Sequence, residues 1–213
     1  MDLVLTLRKP VVLFYNFPLN QEISTNIKLN QGIWKFSYVL PLPTSVLTDS
    51  NEYNWKFTFK GELNLLNEQT NKSFPYLFWE ANPTEGSSMY LNEILKTNYF
   101  CFAKDEALDK IDTLLKLKGL NVTERNDLIT YWIQDLTSKN FVMISFIDQD
   151  EFNKIAELEV IPKPNQFIRV IILIKPCDEY ITPTIKVEDV QPVLRSSDVN
   201  SPLVIEWGGM RVV

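Results

Sequence analysis

Histidine is absent from all 213 residues of the sequence, and several kinds of active site are therefore excluded. Without an imidazole, the chain cannot form a Ser-His-Asp or Cys-His nucleophilic arrangement, and it cannot bind zinc through histidine. Only two cysteines and six glycines are present, and neither Gly-x-Gly-x-x-Gly nor a P-loop pattern occurs. The sequence therefore predicts no metal site, no nucleotide and no other cofactor.

Positive charge is also scarce. Lysine and arginine together number 21 against 27 aspartates and glutamates, so the net charge is −6, and the basic residues are scattered. Binding to nucleic acid draws its affinity from lysine and arginine that neutralise phosphates, and anionic membranes attract the same residues. We expect neither nucleic acid nor membrane as a partner, which leaves a protein partner or self-association.

Long apolar runs are missing as well. The longest, residues 170–174, is far shorter than the roughly 18 residues that a membrane-spanning helix needs. The apolar stretch at residues 3–7 ends at Arg8, Lys9 and Pro10, which makes it too short for a signal peptide. We expect a soluble cytoplasmic protein, or a virion protein if the source is a virus.

The two cysteines, Cys101 and Cys177, each lie inside an apolar run. A free cysteine in such a place behaves as a small buried hydrophobe. The sequence excludes a disulfide framework and leaves open whether these two residues pair.

Hydrophobic residues make up 45% of the chain, and in the first hundred residues they alternate with polar ones. Alternation of this kind, with aromatic and β-branched residues, is typical of strands with one buried face. It predicts strands at residues 21–29, 34–40 and 55–59. In the second of these, the residues expected on the buried face are Trp34, Phe36, Tyr38 and Leu40.

The pattern then changes to a helical period. Residues 105–117 carry apolar side chains at helical spacing, and Gly119 follows where a left-handed cap is expected. Thr123 is a suitable N-cap for a second helix that ends near Leu136. Together these patterns predict a helical hairpin over about residues 105–137.

Strands are predicted again at residues 141–147, 156–161, 167–174, 184–190 and 203–207, and the third of these is apolar enough to be buried on both faces. The predicted fold class is α+β, an antiparallel β-sandwich with the helical hairpin inserted. We expect the hairpin to cover one end or edge of a sheet and the last strand to return and pair. Residues 1–213 would then form a single domain, with residues 1–103 mainly β, 104–138 the hairpin, and 139–213 strands that return to the same core.

Two glutamates are the main candidates for catalysis. Glu80 and Glu206 each lie beside a tryptophan at a predicted strand end. An apolar pocket beside an indole favours the protonated form of a carboxylic acid, which suits a general acid. Two such groups about 5–9 Å apart would form a pair like that of a glycosidase. The alternative is that both are rim positions on strands whose aromatic residues fill the core.

Other acidic residues and three tryptophans are weaker candidates. Residues 148–151 resemble the opening of a calcium loop, but Phe152 takes the fifth position and no glycine takes the sixth, so a solvated turn is favoured. The acids at positions 105, 109 and 112 share one helix face, where solvent is favoured over a metal ion. Trp79, Trp132 and Trp207 are possible contacts for a ligand or partner, although a tryptophan on an apolar stripe is more often a packing residue.

Six blocks of the sequence, in the same order, resemble a widespread uncharacterised microbial protein family whose opening reads KPVIYLYP. The blocks are residues 9–15 (KPVVLFY), 76–80 (YLFWE), 120–133 (LNVTERNDLITYWI), 143–146 (MISF), 160–164 (VIPKP) and 204–209 (VIEWGG). The sequence departs from the family where Asn16 and Phe17 replace a proline and an acid, and where Ala81 replaces a glycine. The resemblance spans nearly the whole chain and implies one integral unit, but it supplies no activity.

Two functional hypotheses follow. The first is a non-catalytic binding or assembly module, and a component of a larger complex or of a virus particle is one version of it, by fold-level analogy. An exposed apolar patch would favour this hypothesis. The second is a carboxylate-dependent hydrolase that uses Glu80 and Glu206, and it requires the two carboxyl groups to lie close together on one face.

Overall fold

A computed structural model describes residues 7–84 and 98–212. This part of the chain forms three layers, with two β-sheets packed face to face and helices on the outer face of the larger sheet. The predicted fold class, an α+β sandwich with an inserted helical hairpin, is confirmed.

The larger sheet contains seven strands, with the bounds Leu7–Tyr15 (β1), Trp34–Leu40 (β3), Leu77–Pro83 (β8), Phe100–Ala103 (β9), Phe141–Ile147 (β10), Gln166–Cys177 (β12) and Leu203–Arg211 (β13). Their order across the sheet is β3-β8-β1-β13-β12-β10-β9. All neighbours pair antiparallel except β12 and β13, which run parallel. The last strand returns to pair, as predicted, and it lies between β1 and β12.

The smaller sheet is wholly antiparallel. Its strands are Glu22–Leu29 (β2), Ser45–Leu47 (β4), Glu52–Phe59 (β5), Leu65–Asn67 (β6), Lys72–Phe74 (β7) and Ala156–Ile161 (β11). The order is β11-β2-β5-β6-β7, and β4 pairs with β5 as well. Because β11 follows the hairpin in sequence and β2 precedes it, both halves of the chain contribute to this sheet.

Burial along the strands follows their position in the layers. In β2, alternate residues such as Ile23 and Ile27 are buried, because only one face of the smaller sheet meets the core. In β12, all of residues 168–174 are buried, because one face meets the smaller sheet and the other meets the helices. The prediction of a central strand buried on both faces is confirmed.

Strand β3 departs from its predicted pattern. The pairing of β3 with β8 shifts between Phe36 and Tyr38, so one residue of β3 bulges. Beyond the bulge, Val39 packs against the core, while Tyr38 and Leu40 are exposed. The expectation that Tyr38 and Leu40 share the buried face of Trp34 is therefore wrong. Side chains alternate between the two faces of a strand, so one extra residue moves every later side chain to the opposite face.

The helical hairpin consists of Ala107–Leu117 (α1) and Val122–Thr137 (α2). The N-cap of α2 is Asn121 rather than Thr123, since the Asn121 side chain accepts from the Glu124 N–H and the Glu124 carboxylate accepts from the Asn121 N–H. Gly119 has a φ of +89°, as expected of a left-handed cap.

The hairpin lies on the outer face of the larger sheet, so the expectation that it covers a sheet end or edge is wrong. Leu128 and Trp132 of α2 pack on the outward residues of β10, β12 and β13, and α1 packs on β9. These strands carry apolar side chains on both faces, and the outward row would otherwise meet water. The apolar stripes of the two helices bury that row.

Residues 178–202, which we call the crossing segment, connect the parallel strands β12 and β13. The strand predicted at residues 184–190 is wrong, because this stretch contains only a short 3-10 turn, Val187–Asp189. Its apolar side chains pack on the helical layer instead of joining a sheet. Arg195 anchors the segment through two hydrogen bonds to the buried Glu124 carboxylate, at 2.9 and 2.7 Å.

The Glu124 carboxylate also accepts from the hydroxyl of Tyr15 at 2.7 Å, so one buried acid joins β1, α2 and the crossing segment. The pKa of Tyr15 is raised above its ordinary value. Burial is the larger cause, and the negative charge of Glu124 is the second. Tyr15 therefore stays protonated and keeps donating to Glu124 across the physiological range.

A third helix, Gln149–Ile155 (α3), occupies the stretch expected to be a solvated turn. Asp148 caps it by accepting from the Asp150 N–H at 2.9 Å, and Phe152 and Ile155 anchor it in the core. The acids of the calcium-like pattern thus lie at a helix start, where negative charge is favoured. Among the residues that the structure describes, no helix is long and apolar enough to cross a membrane.

Two adjacent glycines in β13 permit close packing on both faces of the sheet. A Cβ at Gly208 would lie 2.9 Å from the Cα and N of Pro10, and a Cβ at Gly209 would lie 2.9 Å from the Ile172 carbonyl oxygen. Carbon atoms do not approach backbone so closely without displacement. The close approach of β1 to Gly208 and of β12 to Gly209 therefore requires glycine at both positions.

We predict that Gly208→Ala and Gly209→Ala each lower the free energy of unfolding by about 1–3 kcal/mol, because the added methyl overpacks the sheet. Urea denaturation measures the change. Gly32→Ala is the control, since its Cβ would meet only the Asn30 side chain at 3.6 Å. Equal effects at all three positions would contradict the packing explanation.

Candidate functional site

Glu206 lies inside the sandwich and forms a buried ion pair. It is 0% exposed, and its Oε2 accepts from Nε of Arg169 at 2.5 Å. Its other oxygen, Oε1, accepts from the indole N–H of Trp79 at 2.8 Å. Arg169 and Glu206 are also paired in register across the parallel strands β12 and β13. The carboxylate is thus used for holding strands together and is closed to solvent.

Arg169 extends this network to helix α3. Its Nη1 donates to the side-chain oxygen of Asn153 at 2.5 Å and to the carbonyl oxygen of Ala156 at 2.7 Å. The guanidinium lies 4.4 Å from the ring centroid of Phe152. Five elements, β8, β12, β13, α3 and the start of β11, therefore meet at one charged cluster.

Glu80 lies on the opposite face of the same sheet. On β8, Leu77 and Trp79 point into the sandwich core, so Glu80 points towards the helices, where its Oε1 accepts from the Lys9 N–H at 3.1 Å. The two carboxylates thus face away from each other across the sheet. They cannot flank one bond, so we build no catalytic proposal on this pair.

The three tryptophans named as possible ligand or partner contacts are core residues. Trp79 and Trp132 are 0% exposed, and Trp207 is 2% exposed. Trp79 lies between the sheets, whereas the other two lie between the larger sheet and the helices. None of them presents a face at the surface, which agrees with the alternative interpretation as packing residues.

The acidic candidates do not converge. Asp112 accepts from Nε of Arg125 at 2.7 Å, which ties α1 to α2, and Asp148 and Asp150 belong to the start of α3. Within residues 7–84 and 98–212, no three or more cysteine, aspartate or glutamate side chains form a group that could hold a metal ion.

Both cysteines are free thiols. Cys101 on β9 and Cys177 on β12 flank β10, where they are opposite Met143 and Phe141. The Cys177 side chain is hydrogen-bonded to that of Cys101, so the two thiols are neighbours across β10. The disulfide that the sequence left open is not formed.

The surface feature that the sequence did not reveal is the free edge of the larger sheet. Tyr38 and Leu40 are 69% and 55% exposed on β3, and Leu42 directly after the strand is 76% exposed. Strand β3 is the first strand of the sheet, so one side of its backbone has no partner strand among the described residues. We call these three residues and the free side of β3 the β3 edge.

The helical layer stops short of the β3 edge. Helix α2 packs on β10, β12 and β13, and α1 packs on β9. On the same face, Phe78 and Glu80 of β8 are opposite Leu40 and Tyr38 and are only partly buried. Phe78 of β8 still packs against the helical core, so among the described residues the part of the outer face that α1 and α2 leave open lies at β3.

We predict that Glu206→Gln lowers the free energy of unfolding by about 3 kcal/mol, because it leaves the buried Arg169 guanidinium without its counter-ion. Urea denaturation at neutral pH measures the loss. Combining it with Arg169→Met restores part of the stability, since the unpaired charge is then removed.

Asp178→Asn is the matched control for this change. It breaks the ion pair of Lys139 and Asp178, which has nearly the same N–O distance of 2.7 Å but is exposed to solvent. Exposed pairs contribute little, so a change within about 0.5 kcal/mol is expected. A loss in Glu206→Gln no greater than in this control would show that the buried pair is not a major constraint.

Comparison with protein-family models, curated proteins and solved structures gives no match to this chain. The resemblance to a widespread uncharacterised microbial family therefore stays a prediction. The surfaces of the protein itself are therefore the basis for its proposed function.

Proposed function

We propose that this protein is a non-catalytic binding module whose β3 edge docks an extended segment of a partner protein. The observation that supports this most is the exposure of Tyr38 and Leu40 on an edge strand that none of the described helices covers. Exposed apolar side chains on a free strand edge are uncommon in proteins that work alone, because such edges invite pairing.

The arrangement suits strand addition. An incoming extended chain hydrogen-bonds to the free N–H and C=O groups of β3, which supplies affinity. Side chains at alternate positions of that chain then contact Tyr38 and Leu40 on the outer face of the sheet, which supplies selectivity. The adjoining loop is firmly held, since the Trp55 indole N–H donates to the carbonyl oxygen of Pro41 at 2.9 Å.

Charge favours a different protein over a second copy of this chain. The net charge is −6, and the acid Glu80 is opposite Tyr38 in the pairing of β8 with β3. A second copy would bring the same net negative charge, whereas a basic partner would be attracted. We therefore commit to a partner segment that alternates apolar residues and carries net positive charge.

One version of this proposal is a structural component of a larger assembly, in which the partner segment belongs to a neighbouring subunit. A virus particle is an assembly of that kind, and it is suggested by fold-level analogy alone.

We predict that a random 12-residue peptide library selected on the wild-type protein yields basic peptides with alternating apolar residues. Tyr38→Thr/Leu40→Thr should weaken binding of a selected synthetic peptide at least tenfold, about 1.4 kcal/mol, because the apolar contacts are removed while strand-compatible residues remain. Isothermal titration calorimetry measures the Kd, and hydrogen exchange should slow at β3 when the peptide is bound.

Leu194→Thr/Val199→Thr is the matched control, since these residues are 83% and 74% exposed on the crossing segment, away from β3. It should bind the peptide as the wild type does. The proposal is contradicted if no peptide is enriched, or if both variants bind equally well. It is also contradicted if sedimentation shows a wild-type dimer that the β3 variant abolishes, since the occupant would then be a second copy.

A further inference from the structure

Two adjoining cavities open around Lys118, at the end of helix α1 and far along the sheet from the β3 edge. They share the lining residues Lys118, Phe146, Ile147 and Asp148, and their volumes are about 190 and 330 Å³. The end of β10, the start of β12 and the crossing segment form the walls. We call the two cavities together the Lys118 cleft.

The backbone around Lys118 is fixed from both sides. Its N–H donates to the Leu114 carbonyl oxygen at 2.9 Å, and the Val193 N–H donates to the Leu117 carbonyl oxygen at 2.7 Å. A Cβ at Gly119 would lie 3.2 Å from the Ile168 side chain and 3.3 Å from that of Val193, so this turn is closely packed. The lysine side chain is therefore held at the cleft by rigid elements.

The amine of Lys118 is partly buried, and the Asp148 carboxylate acts on it without a direct ion pair. Its Nζ lies 5.2 Å from the ring centroid of Phe146 and makes no hydrogen bond or ion pair with any residue that the structure describes. Burial lowers the pKa of Lys118 below its ordinary value, and the Asp148 carboxylate offsets only part of this effect. More of this amine is therefore neutral, and hence nucleophilic, than of an exposed lysine.

The lining of the cleft limits what it can bind. Phe100, Ile185 and Val190 line the larger cavity with apolar surface. Besides Lys118, the charged residues that line the two cavities are Asp148, Asp189 and Arg169, and the charge of Arg169 is already paired with Glu206. The negative charge of the two aspartates disfavours an anionic ligand. The lining therefore suits a small uncharged molecule with an apolar body.

We propose that the Lys118 cleft binds a small neutral aldehyde or ketone, which condenses with the side-chain amine of Lys118. The nitrogen lone pair attacks the carbonyl carbon, a C–N bond forms, and the oxygen takes up the proton that the nitrogen loses. The nitrogen then gives its second proton to the resulting hydroxyl group, which leaves as water when the C–O bond breaks and the C=N bond forms. One amine and one carbonyl thus give one imine and one water, with no oxidant or reductant.

Asp148 is placed to assist proton transfer in this condensation. It is the nearby carboxylate whose charge acts on Lys118, and it lines both cavities. A carboxylate near the nitrogen can accept its proton and return it to the departing hydroxyl group. Asp148 would accelerate imine formation without contributing to the covalent bond.

The test uses the whole protein, benzaldehyde as the probe and sodium cyanoborohydride to trap the imine, with peptide mass mapping of every lysine. Lys118 should be labelled at least tenfold faster than the exposed Lys116 at pH 7, and its rate should saturate with benzaldehyde concentration. As pH falls, labelling at Lys118 should persist to lower pH than labelling at Lys116, because burial favours the neutral amine. With the anionic aldehyde glyoxylate as the probe, Lys118 should be labelled no faster than Lys116.

Lys118→Arg keeps the positive charge and cannot condense, so it should remove the fast, saturable labelling and leave the other lysines unchanged. Lys116→Arg, two residues earlier on the same helix, is the matched control and should leave the labelling at Lys118 intact. The wild-type measurement stands even if Lys118→Arg folds poorly. The proposal is overturned if Lys118 is labelled no faster than Lys116, if its labelling never saturates, or if glyoxylate prefers it.

Discussion

A buried ion pair between Arg169 and Glu206 is the interaction on which the rest of the larger sheet depends. It lies between the two central strands, β12 and β13, where either charge alone would be costly to bury. Trp79 and Asn153 satisfy further polar atoms of the pair, so β8 and helix α3 are tied to the same point. With the hydrogen bond from Arg169 to Ala156 of β11, the pair joins five elements at one point in the apolar core.

The width of that sheet explains where its accessible sites lie. Seven strands are wider than one helical hairpin, so α1 and α2 cover the middle and the β9 side, and neither of them packs closely on β3. On the other side, the crossing segment closes over the end of α1 and encloses Lys118 in a cleft. Both candidate sites, the β3 edge and the Lys118 cleft, therefore lie at the margins of the layer that covers the larger sheet. Neither lies in the packed interior.

The candidate site was only partly predictable. Glu206 was named from the sequence, but its role as a buried partner depends on Arg169, which no motif marked. A signal was present, since an arginine within residues 167–174, a run buried on both faces, requires a buried counter-charge. Tyr38 and Leu40 were placed on the wrong face because one bulged residue reverses the alternation. Lys118 looked like an ordinary helix-end charge until the crossing segment covered it.

The sequence by itself determined the local structure: the alternating strands, the two amphipathic helices with their glycine cap, and the apolar central strand. These depend on contacts between residues close in sequence, which a periodic pattern records. Only the tertiary structure decided that the hairpin covers a face, that β12 and β13 run parallel, and that Glu80 and Glu206 lie on opposite sides. Those features depend on which strands become neighbours. Packing between residues that are far apart in sequence decides this, and a local pattern does not record it.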